Sequence, residues 1–200
     1  MRISHRELES CRSGPRQWVA SRVNPQSGWS FGYNQALLLA IHRFHKLGAN
    51  AARQHLDNML NEHFTDQSRI DAISHDLLAY IQWADQTNLI VADSKIRINL
   101  DVGGYLVLAG EVSRLDITNA GYRAVILGSK PPYWREHLRL PLIQRAIARN
   151  YGRPIGEIEV GMQNLDGTEL ETLSFTETEI GQAENDFRVL GASVRGYFTP

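Results

Sequence analysis

The chain has 200 residues, 42% hydrophobic and 22% charged, with a net charge of −1. That length and balance suit one globular domain, expected to span 1–200, that buries a true core. Its lone cysteine, Cys11, excludes an internal disulfide and any zinc or iron–sulfur centre built from several cysteines of this chain.

No stretch nears the roughly 20 apolar residues of a membrane span. The opening Met1-Arg2-Ile3-Ser4-His5 lacks the apolar run of a signal peptide. A cytoplasmic protein with no membrane partner is the expectation. The small net charge hides segregation. Residues 1–53 carry +6, 54–129 carry −5, 130–153 carry +5 and the remainder −7. A basic face built from the first and third blocks could hold an anionic partner; the same charges could also simply coat solvated helices.

Ser4-His5-Arg6-Glu7 reads as a capping box with Ile3 and Leu8 as its hydrophobic staple, so a helix is expected to start there and stop before Gly14-Pro15. Pro15 begins a further turn through Trp18 and Val19, and Asn24-Pro25-Gln26-Ser27-Gly28 is a loop. Helical spacing of Leu37, Leu38, Ile41, Phe44 and His45 predicts a helix over 33–47, broken at Gly48, then another over 51–63. A third amphipathic helix over 69–87 places Trp83 off its buried stripe, where it would meet a different element.

The period then changes to two. Lys95-Ile96-Arg97-Ile98-Asn99-Leu100-Asp101 alternates as a strand does, and strands over 105–117 and 122–127 follow, joined by short turns that favour antiparallel pairing. Pro131-Pro132 breaks the chain. A helix is expected over 134–150, with Pro141 at a start or a kink. Strands at 157–165 and 169–175 flank the hairpin signal Asp166-Gly167. A second capping box, Thr176 to Glu179, opens a last helix expected to end at Gly191. The order predicts an α+β (mixed α/β) fold: a mainly helical part over 1–90, then over 91–200 a central antiparallel or mixed sheet flanked by helices.

Candidate binding residues cluster after the sheet. Arg135 and Arg139, like Arg145 and Arg149, are i, i+4 neighbours on one predicted helix, with Lys130, Tyr133 and Trp134 at its mouth. Arginines so arrayed can grip successive phosphates while an aromatic stacks on an unpaired base; a basic surface helix, or one paired with the acidic C-terminal block, is the plainer alternative. His42 and His45, at i and i+3, could share a metal or belong to the core. There is no phosphate-binding glycine loop and no nucleophile motif around Ser113 or Cys11.

Four stretches together resemble the PD-(D/E)XK nuclease superfamily, in its RecB-like branch. They are Ile3 to Cys11 with Pro15-Arg16-Gln17-Trp18, Leu39-Ala40-Ile41-His42, Gly110-Glu111-Val112-Ser113-Arg114-Leu115-Asp116, and Leu138 to Gln144. The resemblance implies a restriction-endonuclease-like core with an N-terminal helical elaboration. It also implies a site of two carboxylates and a lysine, with a histidine in some members, holding magnesium or manganese. In this chain Ser113 stands in the place of the first aspartate, and Leu127-Gly128-Ser129 in the place of the acid-x-lysine triplet. A serine and a leucine supply no charge to hold a cation.

The expectation from this pattern is a non-catalytic module, with no cofactor. It would bind nucleic acid through Lys130, Trp134, Arg135, Arg139, Arg145 and Arg149, or scaffold other subunits of a DNA-processing or defence complex. The alternatives are a migrated metal-dependent site made from Asp116, Lys130 and Glu111, with Glu159 or His42 as further donors, and a structural subunit that docks a basic protein on its acidic last helix. By strand parity Glu111 shares a face with Ser113, and Asp116 lies opposite unless a bulge intervenes.

Overall fold

The alternation over 95–101 belongs to an eleven-residue strand, β2 (Val91–Asp101), in which Ile96, Ile98 and Leu100 are buried between exposed neighbours. It pairs antiparallel with β3 (Val107–Thr118), and β3 pairs antiparallel with β4 (Gly121–Leu127). The computed structural model describes residues 1–23 and 32–198, so the loop expected at Asn24 to Gly28 lies outside the described residues.

After β4 a single turn of 3-10 helix (Trp134–Glu136) precedes α6 (Arg139–Tyr151), where the sequence pattern predicts one continuous helix. Pro141 sits in the first turn of α6, where a missing N–H breaks no intrahelical bond. This helix carries the chain over to β5 (Ile158–Gln163), parallel to β4, and β6 (Glu171–Leu173) returns antiparallel as the Asp166-Gly167 turn requires.

The N-terminus departs from its sequence pattern. Arg2–Ser4 form a short strand, β1, parallel to β3 over Val107 to Ala109. Helix α1 (Leu8–Ser13) begins only after Glu7, with no side-chain cap. The Ser4 capping box does not form: Ser4 Oγ accepts from the Arg6 N–H at 3.3 Å, and the Glu7 carboxylate turns to Arg22. Burying Ile3 fully in the sheet is worth roughly 1.5–3 kcal/mol, more than the cap it displaces. The second capping box, at Thr176, does form and opens α7 (Glu177–Gly196). That helix runs on through Gly191, whose missing Cβ would lie 2.6 Å from Leu106 Cδ2, so the glycine serves close packing rather than a stop.

Helices cover both faces of this mixed six-stranded sheet. The first face packs α1, α2 (Pro15–Val23), α6 and α7 against Ile96, Ile98, Val112, Ala124 and Ile126. The second packs α3 (Tyr33–Leu47), α4 (Ala49–His63) and α5 (Gln67–Gln86) against Val125 and Leu127. The alternation of Ala124, Val125, Ile126 and Leu127 between the two cores is the two-residue period of β4 made physical. The expected α+β architecture, a sheet flanked by helices, is the one observed. Trp83, off the α5 stripe, meets Arg114 of β3 and Gly167 of the β5–β6 turn.

One irregularity positions the site. With β2 along one edge of β3, β1 and β4 must share the other: β1 pairs as far as Ala109, and β4 starts at Arg114. Between them Gly110 to Ser113 face no strand of the described residues on that edge. His5 fills part of the gap, its N–H donating to the Ala109 carbonyl at 2.8 Å and its Nε2 lying 2.9 Å from the Glu111 carbonyl. Gly110, at φ +141, makes this possible, because a Cβ there would sit 2.3 Å from His5 Cδ2.

Candidate functional site

At this split edge lies a cavity of about 620 Å³, walled by β3, β4, α3 and the start of α6. Its floor is Glu111, Val112 and Ser113, and its far rim is Leu127, Gly128 and Ser129. The three positions that Ser113, Leu127 and Ser129 occupy in the sequence pattern therefore do converge. Ser113 is buried, and its Oγ accepts from the Leu127 N–H at 3.0 Å, so the serine closes the ladder between the two strands. Glu111 is the acid of the floor, and Arg97 lies 3.8 Å from it.

Three cations join the uncharged polar residues Asn34, Gln35 and His42 in the lining. Arg6, from the turn after β1, Lys95, from β2, and Arg139, at the start of α6, all border the cavity, and none has an ion-pair partner among the described residues. Arg139 is 91% buried, its Nη2 finds only the Met162 thioether at 3.6 Å, and its Nε has no partner. The Glu9 carboxylate is turned to the Arg139 backbone N–H, at 3.2 Å, and to Arg12. His42 also borders the cavity, buried, with Nδ1 unpartnered. Burial, helped by Lys95, Lys46 and Arg6, pushes its pKa down to about 4, so it is neutral at pH 7.

The other residues singled out in the sequence lie elsewhere. Asp116 is buried against Arg114, which donates to both carboxylate oxygens (Nη2 to Oδ2 at 2.9 Å) and to the Tyr80 hydroxyl of α5. His45 joins that network, its Nε2 2.8 Å from the Tyr80 hydroxyl, so the two histidines of α3 part company: His42 borders the cavity and His45 does not. Parity alone would have put Asp116 on the face away from α5. It faces α5 because alternation slips by one: Val112 and Leu115, three apart, both enter the core beneath α6 and α7. The slip falls opposite Lys95, whose φ is +62.

Lys130 donates to the Glu169 carbonyl at 2.7 Å and to Glu171 at 2.6 Å. Asp116 borders a different cavity, with Arg123 and its ion-pair partner Glu159. Asp116, Lys130 and Glu111 are thus not brought together, and Asp116 does not share a site with His42. Among the described residues no three histidine, cysteine, aspartate or glutamate side chains are grouped as a metal site.

The arginine ladder is likewise divided. Arg135 pairs with Glu171, and Arg145 with Glu177 and Glu184 of α7. Arg149 reaches Glu184 and the Asp101 carbonyl. Three of the four arginines are turned to acids of this chain, the plainer of the two outcomes for a basic helix. Of the four, Arg139 alone borders the cavity. Trp134 cannot stack on a base, since it is buried in the core, whereas Tyr133 beside it is exposed at a left-handed φ of +57. Gln144 is buried too, and holds the chain ahead of α7 by bonding both the N–H and the carbonyl of Phe175. Lys95 is the site residue least visible in the sequence, where it reads as one more polar position of an alternating strand.

No family profile matches the chain, and no curated protein matches it. Among solved structures it is similar to a candidate exonuclease from Eubacterium rectale, at 8% identity over 91% of this chain and 73% of that one, with a TM-score of 0.58. It also aligns with the protein SSO0001, at 11% identity over 91% of this chain and 85% of that one, with a TM-score of 0.33. At 8% identity the first likeness is one of fold: the mixed α+β architecture is shared with that structure.

Proposed function

We propose that this chain is a catalytically silent PD-(D/E)XK module of the RecB-like branch, which binds nucleic acid in the cleft between β3, β4, α3 and α6. The observation that carries this reading is the make-up of the cavity. Ser113, Leu127 and Ser129 line it where the family resemblance calls for two acids and a lysine, and Arg6, Lys95 and Arg139 surround them.

The donor set does not fit a divalent cation. Hard cations take several oxygen ligands, whereas among the described residues one carboxylate, Glu111, faces this cavity beside three positive side chains. A phosphate backbone has the opposite requirement, and a concave cationic wall with apolar patches at Leu38 and Leu39 suits it. The module would hold a strand without cutting it, as a DNA-processing or defence complex needs of a subunit that positions substrate for another. The nuclease-like fold supports nucleic acid as the partner class.

The test is binding as a function of salt. The double variant Arg6→Ala, Lys95→Ala should weaken binding of single- or double-stranded DNA by about tenfold or more, and flatten the salt slope by about 2, roughly 1 for each phosphate no longer gripped. Fluorescence anisotropy over a salt series reads both. Unchanged affinity and slope would place the nucleic acid elsewhere or remove it.

A further inference from the structure

Arg139 is a group whose environment its own structure leaves unexplained. A guanidinium carries five N–H donors and a fixed charge, and burying one is costly unless it is paired and hydrogen-bonded. Here it is 91% buried, with a thioether as its polar contact and Nε orphaned. The other arginines that leave solvent find carboxylates: Arg114 takes Asp116, and Arg145 takes Glu177 and Glu184. Packing does not require an arginine at 139, because a methionine would lie against Met162 at no electrostatic cost.

We infer that Arg139 is the anchoring cation of a pocket for a phosphate monoester, the group at a strand end or on a free nucleotide. The inference deepens the nucleic-acid reading of the same cleft, but it has its own readout. The charge balance favours a dianion: Arg6, Lys95 and Arg139 face one carboxylate, and Arg97 already attends that one. Depth favours a terminal group. An internal diester must keep two sugar links clear of the wall, whereas a monoester enters on one link and can present two oxygens to the planar fork. The nearest acid outside the cavity lining, Glu9, is spent on the Arg139 backbone N–H and on Arg12 and makes no ion pair with the guanidinium. His5 and His42, close enough to Arg139 or Arg6 to feel their charge, are both held neutral. A cavity of about 620 Å³ falls in the ordinary range for a small-ligand site and leaves room above the phosphate for a nucleoside.

The experiment compares a short single-stranded oligonucleotide with a 5′-phosphate, its 5′-hydroxyl twin, a 3′-phosphate twin, and a nucleoside monophosphate, on wild type, Arg139→Lys and Arg139→Met. A phosphorylated end should bind about ten- to hundredfold tighter than the hydroxyl end. Arg139→Met should abolish that preference and leave the salt-dependent background, and Arg139→Lys should keep only part of it. Thermal unfolding gives the second readout. The nucleoside monophosphate should raise the wild-type melting temperature and not that of Arg139→Met, which should itself melt higher than wild type without ligand because an unpaired buried charge has gone. Equal binding of all ends, or a preference that survives Arg139→Met, would overturn the monoester pocket and leave the cleft reading standing. A nucleotide-dependent shift lost in Arg139→Met, with no oligonucleotide bound, would keep the pocket and overturn the nucleic-acid reading. Failure of every phosphate compound to bind or to shift wild type overturns both.

Discussion

Replacing Asp116 with alanine should destabilise the fold by about 3–5 kcal/mol, the usual cost of leaving a buried charge without its partner. Arg114 is fully buried, Asp116 is 1% exposed, and two bonds join them between β3 and α5. Removing the acid strands a guanidinium that also holds the Tyr80 hydroxyl and lies over the Trp83 ring. The single substitution therefore loosens the contact between the sheet and the α3–α5 layer. Adding Arg114→Met should recover much of the loss, because the double change removes both charges together. Urea unfolding of the two single variants and the double variant gives the coupling directly. Additive losses, or a stable Asp116→Ala, would show that this pair does not anchor the helical layer.

Acid should unfold this protein through its buried histidines. His5 and His42 are pushed down to about 4 and His45 to about 3, in each case by burial first. Around His5 the bond to the Glu111 carbonyl opposes that shift, while Arg139 and Arg6 add to it. In the unfolded chain these rings take a proton near pH 6.5, but in the folded protein they stay neutral to about pH 4. Between those limits the unfolded state binds more protons, so stability is complete above pH 6.5 and falls steadily towards pH 4. For His5, the most buried of the three, the full loss is on the order of 3 kcal/mol. Denaturant midpoints from neutral to acid pH should fall in wild type and fall less steeply in His5→Gln. Coincident flat profiles would contradict the burial of these rings as neutral groups.

Much of the scaffold was legible because it depends on local pattern. The two-residue alternation over 95–101, the helical spacing in α3 and α5, the Asp166-Gly167 turn and the Thr176 capping box each specify their element within a few residues. What escaped depends on partners far away in the chain. Arg2–Ser4 form a strand only because Val107 to Ala109 offer an edge, and that pairing overrides a sound helix-start signal at Ser4. The facing of Asp116 hangs on a one-residue slip opposite Lys95, and nothing in the local sequence forces a left-handed residue there.

The candidate site was legible only in part. Ser113, Leu127 and Ser129 could be named from motif position, and the structure gathers them around one cavity. The basic helix was visible as charge, but charge alone does not say that Arg145 and Arg149 meet Glu184 while the Arg139 guanidinium has no ion-pair partner among the described residues. Those pairings follow from how α6 lies against α7, which is tertiary information.

The most direct measurement incubates the pure protein with labelled single- and double-stranded DNA in manganese, following both gel shift and cleavage. The account predicts DNA that is shifted and stays intact. Cutting that disappears in Glu111→Gln or Lys130→Ala would contradict it, and so would DNA that is never shifted at all.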